Sequence, residues 1–433
     1  MLAAGALAGA LLGLAGCGGG TPAGMMSSSD HSDPHISGEA FPATLQPASQ
    51  AQAKEVDFSG ARGLQLTNGL VTVVVVPAAG GRILSYQLGK YEYMYRDAAS
   101  GKAAQTGGDA ARPVNAKGEI QGGALEGAWQ GQVTTAAGTF AEVKLTSPED
   151  KTGAGVALTR TLRLYAGSTR LQVTDTLRNL SDKPATWALG ATTRLVAAGS
   201  GQARAFLPVT AAPGHPTGFW SPAGAADGQA TALNEGKLLQ VATDGKPGRI
   251  DAHLRDGWVA YSETVANHVL VRRFSPTAGG DYPGGASAAV TLPGKTSYLA
   301  LSSSTPLQSL PAGGELTLTQ DWYASLLPGA VMDTSEIAAL NQPPVLRTEG
   351  SGYRLQAKLA VFAPGNLVIT LLDASGQPVS TPTLVPVSPQ QPVTLDQTLT
   401  APGGATTVRL AVENAQGLPL GDLASVPLPG RAG

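Results

Sequence analysis

From residue 61 to about residue 330 the apolar positions recur at every second residue or in short β-branched runs, and no segment holds a helical spacing for three turns. VTVVVV (71–76), GVALTRTLRLY (155–165), TRLQVTDTLRNL (169–180) and TWALGATTRLV (186–196) carry the pattern. Alternation of this kind turns one set of side chains into a core and the other toward water. Asn68-Gly69, Gly80-Gly81 and Ala166-Gly167 punctuate the runs, at intervals too short for parallel crossovers of a dozen or more residues. The reading is all-β and antiparallel. About fourteen strands before residue 330 are too many for one small sandwich and suit a large double-layered one over 56–330.

Residues 333–344, DTSEIAALNQPP, break the rhythm with a brief helical spacing, a cap at Asp333 or Thr334 and a stop at Pro343-Pro344. They predict a linker over 331–344. Beyond it YRLQAKLAVF, NLVITLLD, PVTLDQTLT and TTVRLAVEN, with DASGQP and NAQGLP turns between them, predict a small immunoglobulin-like β-sandwich over 345–433. It lacks the Cys and Trp marks of a true immunoglobulin domain.

Composition narrows the class. The chain is 42% hydrophobic and 14% charged, with 56 Gly and 31 Pro, as a turn-rich β protein should be. A net charge of -2 with scattered Lys and Arg gives no electrostatic track for nucleic acid. The single cysteine, Cys17, permits neither a disulfide nor a thiolate metal site within one chain. It follows an apolar segment, and Leu14-Ala15-Gly16-Cys17 resembles a bacterial lipobox. The expectation is a lipoprotein signal peptide over 1–16 and an acylated Cys17 holding the protein to the lipid bilayer of the cell envelope. The apolar stretch is shorter than the roughly 20 residues of a membrane span. No Lys or Arg precedes it, so an upstream start is expected to supply the positive end. Gly18 after the cysteine suits the outer membrane in a diderm cell. Residues 17–55, rich in Gly, Ser, Pro and Ala, read as a tether. Its DHSDPH stretch, with His31 and His35, reads as solvated linker, because a flexible segment must be ordered before it coordinates.

Several blocks in order carry a family likeness. Asn68-Gly69 precedes Pro77-Ala78-Ala79-Gly80-Gly81-Arg82-Ile83, then come YEYMY, DTLRNLSDKPATWALGATTRL, GWVAYSE with HVLVRRF, DYPGGASAAV and SYLALSSSTPLQSLPAGGELTLTQDWY. Together, over roughly residues 60 to 326, they resemble the galactose-mutarotase-like (aldose 1-epimerase-like) superfamily, in its poorly characterised bacterial branch. The resemblance implies a β-supersandwich whose concave face binds sugars in many relatives. It also implies, in the enzymes, a histidine acid and a glutamate base. The block from Asn179 to Gly190 holds no histidine, Ala300, Ser302 and Ser303 stand where relatives place glutamates, and no carboxylate occurs between Asp281 and Glu315. Small neutral side chains supply neither proton donor nor acceptor, so the resemblance brings the fold without the catalytic pair.

The ligand-binding candidates are Arg82 in the Gly-Gly-Arg corner, His215 and Trp220 in the loop APGHPTGFWSPAG, and Asp281 with Tyr282 before Pro283-Gly284-Gly285. Rings beside planar polar groups suit a sugar's apolar face and hydroxyls. Trp187 with Arg194 is a further cleft pair, whereas Trp258 and Trp322 fall within strands and read as core. His215, His253 and His268 would make a metal site only if the fold converged them. No cofactor is expected, and no Gly-x-Ser-x-Gly elbow, phosphate loop or dinucleotide fingerprint occurs. The sequence favours a lipid-anchored envelope protein that binds carbohydrate without catalysis. A structural subunit contacting other envelope proteins stands second, and a sugar-active enzyme with a rearranged catalytic set third.

The lipobox reading is checked by labelling cells with an alkyne palmitate analogue. The protein should take up label, and Cys17→Ser should abolish both label and membrane fractionation.

Overall fold

The computed structural model describes residues 48–96, 107–197, 199–222, 228–294 and 298–429. The expected signal peptide over 1–16, Cys17, His31 and His35 lie outside the described residues. The end of the expected tether does not: Ala51–Phe58 is a strand, paired antiparallel with Ala61–Thr67 across the Ser59-Gly60 turn.

Among the described residues, a 13-stranded and a 10-stranded sheet build the large sandwich, and two 4-stranded sheets build the small one. The middle of the first sheet runs in the order Pro247–Ala252, Ala288–Pro293, Tyr298–Ser304, Ala185–Val196, Asp109–Val114, Arg82–Leu88. The second includes Trp258–Glu263, His268–Phe274, Glu315–Leu326, Leu171–Asn179 and Val156–Tyr165 as neighbours. Alternation makes the core: Leu158, Leu162, Leu164, Val173 and Leu177 from the second sheet share one buried cluster with Leu189, Ala191, Leu195, Val290 and Leu301 from the first. Each Leu or Val among them contributes about 1.5–3 kcal/mol when fully buried.

Charged residues occupy some of these inward positions. Arg160 of Val156–Tyr165 is 1% exposed and donates through Nε and Nη2 to both carboxylate oxygens of Asp175, at 2.7 and 3.0 Å, on the neighbouring strand. Nη2 also crosses to the other sheet, donating to Asp109 Oδ1 at 2.8 Å. The second oxygen of Asp109 accepts from Thr193 Oγ1 at 2.8 Å. Thr193 in turn accepts from Arg272 Nη1 at 2.7 Å, and Arg272 donates on to Ser303 Oγ at 2.7 Å and Gln320 Oε1 at 2.9 Å. Two cations and two anions thus balance inside the core, with hydroxyls and an amide satisfying the remaining donors.

One end of the same core is aromatic. His268 stacks on Tyr91 at 3.7 Å, and the Tyr93 hydroxyl lies 3.3 Å from its Nδ1. Burial lowers the His268 pKa to about 4, against the opposing pull of Glu263.

The small sandwich packs on the back of the second sheet. Phe206, Trp258, Val269, Val271 and Tyr323 point away from the main core and form a separate buried cluster with Val331, Ala339, Ala360 and Phe362. Tyr323 and Phe362 stack at 4.6 Å, and Ser325 Oγ donates to the Val361 carbonyl at 2.8 Å. The helical spacing expected over 333–344 is corrected here. Asp333–Thr334 and Ala338–Glu349 are strands, the latter paired with Gly352–Val361. The apolar run reads as helical because it serves two cores: Ala338 and Leu340 face the small sandwich's interior, and Ala339 faces the joint between sandwiches. Pro343-Pro344 is absorbed where the register shifts between Gln342 and Val345, since a bulge leaves residues without ladder bonds to make.

Arg160→Ala would strand two buried carboxylates. The expected cost is about 3–5 kcal/mol of unfolding free energy in urea, while Thr159→Ala on the opposite face should stay within about 0.5 kcal/mol of the wild type. For His268 the sign follows from its lowered folded-state value. Between roughly pH 6.5 and pH 4 the unfolded chain binds the proton and the native one does not, so stability falls as the pH falls through that window. Melting temperatures measured from pH 7 to pH 4 should drop less steeply in His268→Gln than in the wild type.

Candidate functional site

The outward positions of the first sheet assemble a cleft. In an antiparallel sheet directly opposed residues place their side chains on one face, and one row of such partners runs across six strands. It passes from Trp220 to Asp251, Ala289, Ser302, Thr192 and Ala110. One position further along the strands, Asp109 pairs with Ile83, which sets Arg82 at the far end of this row. A flanking row holds Arg249, Thr291, Ala300 and Arg194. On the other side Ser304, Gly190 and Arg112 oppose one another. The centre is therefore small, and the long cationic side chains stand at its margin.

A cavity of about 230 Å³ lies over this floor. Its lining includes Arg82, Arg112, Arg194 and Arg249, the hydroxyl residues Thr192, Ser302 and Ser304, and one carboxylate, Glu126. Thr192 Oγ1 and Ser302 Oγ are 2.9 Å apart on the floor. Gly190 keeps the floor open, since a Cβ there would meet Val114 Cγ2 at 2.9 Å. Arg82 Nη2 donates to Glu126 Oε2 at 2.9 Å and Arg112 Nε to Oε1 at 2.8 Å. Burial alone would raise the Glu126 pKa, but the two guanidiniums outweigh it and hold the carboxyl at about 2. Arg249 Nε donates to Asp251 at 2.7 Å, and Arg194 lies over the Tyr298 ring at 5.5 Å.

The Gly-Gly-Arg corner forms one wall. Gly80 and Gly81 both have left-handed backbones, at φ 69° and 64°. A Cβ on Gly81 would lie 2.6 Å from the Trp129 ring, and one on Gly80 would lie 3.3 Å from Arg112 Nη2. Glycine here serves close approach as well as the turn.

Of the residues expected from sequence, Arg82 lines the cavity and Trp220 ends the central row. His215 stacks on Trp220 at 3.9 Å and 12°, beside the Pro283–Gly285 turn, where a Cβ on Gly285 would be 3.9 Å from the Trp220 ring. Tyr282 is buried, and its hydroxyl lies within hydrogen-bond distance of the Thr277 N–H and carbonyl. Asp281 is exposed, and its carbonyl accepts from the Leu307 N–H at 2.7 Å. Trp187 is half-buried against the main core, and Arg194 reaches the cleft without it. His253 rests edge-on to Tyr282, 6.0 Å between ring centres, whereas His268 belongs to the tyrosine cluster. Among the described residues no group of three His, Cys, Asp or Glu side chains is placed to hold a metal. Arg112, Arg249, Glu126 and Thr192 were not picked out from the sequence. For the two arginines the signal is local phase: in ARPV and GRID each falls on the beat opposite Ala111 and Ile250, which are buried in the core.

No protein-family model and no curated protein matches the chain. Solved structures do resemble it. A galactose mutarotase-like protein from Clostridium acetobutylicum is 10% identical, with 64% of this chain and 98% of that one aligned, at a TM-score of 0.44. A galactose mutarotase-like protein from Lactobacillus casei ATCC 334 is 14% identical over 60% of this chain and 99% of that one, at 0.43. A TPR-domain containing protein from Parabacteroides distasonis ATCC 8503 is 11% identical over 67% and 50%, at 0.45. These are likenesses of fold.

Proposed function

We propose that this chain is a lipid-anchored cell-envelope protein whose first-sheet cleft binds carbohydrate without turning it over. The observation that carries the reading is the cleft's make-up. Guanidinium donors and floor hydroxyls line a cavity whose one carboxylate is already held by two arginines. Sugar hydroxyls both donate and accept; Thr192, Ser302 and Ser304 match either role and the arginines donate. The cavity is smaller than the roughly 300–1,000 Å³ of drug-sized sites and suits one sugar residue or a chain end. Opening an aldose ring needs a base and an acid, each within reach of its own oxygen. Glu126 at about pKa 2 is a weaker base than a free glutamate, and among the described residues no histidine lines the cavity. The sequence blocks' resemblance to a superfamily with sugar-binding members supports the same ligand class.

A second reading, a structural subunit of an envelope assembly, rests on the small sandwich. Leu384 is 56% exposed on the edge strand Thr383–Val387, and Leu418 is 61% exposed beside the opposite edge strand Pro419–Pro427. Exposed apolar side chains on sheet edges favour association.

Calorimetric titration with cell-wall monosaccharides and oligosaccharides should show saturable binding, weakened about tenfold or more by Arg112→Met, as expected for loss of a charge-assisted donor. Aldose mutarotation should run no faster than in buffer. Absence of binding to every saccharide, with envelope proteins co-purifying, would favour the second reading. Accelerated mutarotation that is lost in Glu126→Gln would establish an enzyme instead.

A further inference from the structure

We propose that the saccharide this cleft takes is acidic, carrying a carboxylate as a uronate residue does; the inference rests on the carbohydrate-binding reading and names its ligand class. In a chain of net charge -2, four guanidiniums gather at one cavity, those of Arg82, Arg112, Arg194 and Arg249. Among the described residues two carboxylates oppose them. Glu126 is shared by Arg82 and Arg112, and Asp251 is taken by Arg249. Two positive charges are left over. Among the described residues Arg194 has no carboxylate partner, only the face of Tyr298.

A donor is left over as well. Arg82 Nε is buried without a hydrogen-bond partner. Arg112, 5% exposed, spends Nε and Nη2 on the two oxygens of Glu126, each at 2.8 Å, so the unpartnered donor is that of Arg82. A buried donor without an acceptor costs about 1–3 kcal/mol, a cost that a ligand oxyanion relieves.

The placement of the surplus separates carboxylate from phosphate. Arg112 opposes Gly190, and Arg194 stands four positions further along the same strand, roughly 13 Å away by the strand rise. The two surplus charges therefore flank the floor of Gly190, Thr192 and Ala110 from opposite sides. One phosphate monoester puts both charges on a single group, whereas the backbone positions of these two arginines are spread along the strand. A single carboxylate matches either side, and an oligouronate, with one carboxylate on each sugar, matches both. Glu126 already shows the geometry that arginines impose on a carboxylate here.

The test is calorimetric titration of the intact protein with galacturonate, digalacturonate, galactose and glucose 6-phosphate at low and high salt. Galacturonate should bind about tenfold or more tighter than galactose at low salt and lose that advantage as salt screens it. Arg194→Gln should weaken galacturonate about tenfold and galactose less than threefold, with an unchanged melting temperature. Galactose binding as tightly as galacturonate overturns the acidic assignment while leaving the carbohydrate reading intact. Glucose 6-phosphate binding tighter than galacturonate overturns the choice of carboxylate. Failure of all four to bind overturns both. The ratio of ligands on the wild type decides the matter even if Arg194→Gln does not fold.

Discussion

Four ionised side chains sit in the dry space between the two large sheets, and their balance fixes how the sheets meet. Arg160 and Asp175 belong to neighbouring strands of the second sheet, Asp109 belongs to the first, and Arg272 returns from the second through Thr193 and Ser303 of the first. A charge buried without its partner costs several kcal/mol, far more than a hydrophobic mismatch. Slipping any of these strands by one residue within its sheet would turn its charged group to the opposite face and leave the others uncompensated. The network therefore selects one register among the many that a field of Val, Leu and Ala would tolerate.

That register also builds the cleft, because the same strands show their other side to it. Asp109, Thr193 and Ser303 point inward, and the residues beside them, Ala110, Thr192 and Ser302, lie side by side as its floor. Arg160 extends the control to the wall, donating from Nη1 to the Gly81 carbonyl at 3.2 Å. Gly81 packs on Trp129, whose Nε1 donates to the Leu125 carbonyl at 2.8 Å, next to Glu126. The Gly-Gly-Arg corner is thus a joint between the core network and the arginine pair that holds Glu126. Its arginine faces the cavity, while its glycines make room for Trp129 and Arg112.

The alternation that predicted the strands also contained the network, in positions that break it. Arg160 in VALTRTLRLY and Asp175 in LQVTDTLRN both fall on the apolar beat, and a charge in that phase must be buried and paired. What periodicity cannot give is the partner. That Arg160 meets Asp109, or that Thr192 stands between Ser302 and Ala110, follows from strand order and register, which are set by contacts between residues far apart in sequence. The cleft was legible only at Arg82, at Arg194 and, on its border, at Trp220, because aromatic rings were expected to mark a sugar site and this lining is built of arginines and small residues. The stretch before Pro343-Pro344 misled for a related reason. A strand that feeds two cores has apolar residues on both faces, and over a few residues this cannot be told from a helix by spacing alone.

The two outer faces of the large sandwich meet different fates, and this explains why the cleft lies where it does. On the second sheet Trp258, Val269, Val271 and Tyr323 face outward where a half-exposed strand would carry polar residues, so this face requires a cover, as sheets buried on both sides do. The small sandwich supplies it through Ala339, Ala360 and Phe362. At the centre of the first sheet the outward positions are mostly Ala, Ser, Thr, Gly and Arg, which form no apolar surface that a packed domain would seal, while its outward Val74, Val76 and Leu84 are buried apart from the cleft against Val56 and Phe58. Loops around Glu126 and Pro283 close over its margins and leave the centre hollow. A face with too little hydrophobic area to bury and too many donors to leave unsatisfied is suited to a polar, hydroxyl-rich occupant, and the surplus of guanidinium adds that this occupant should bring negative charge.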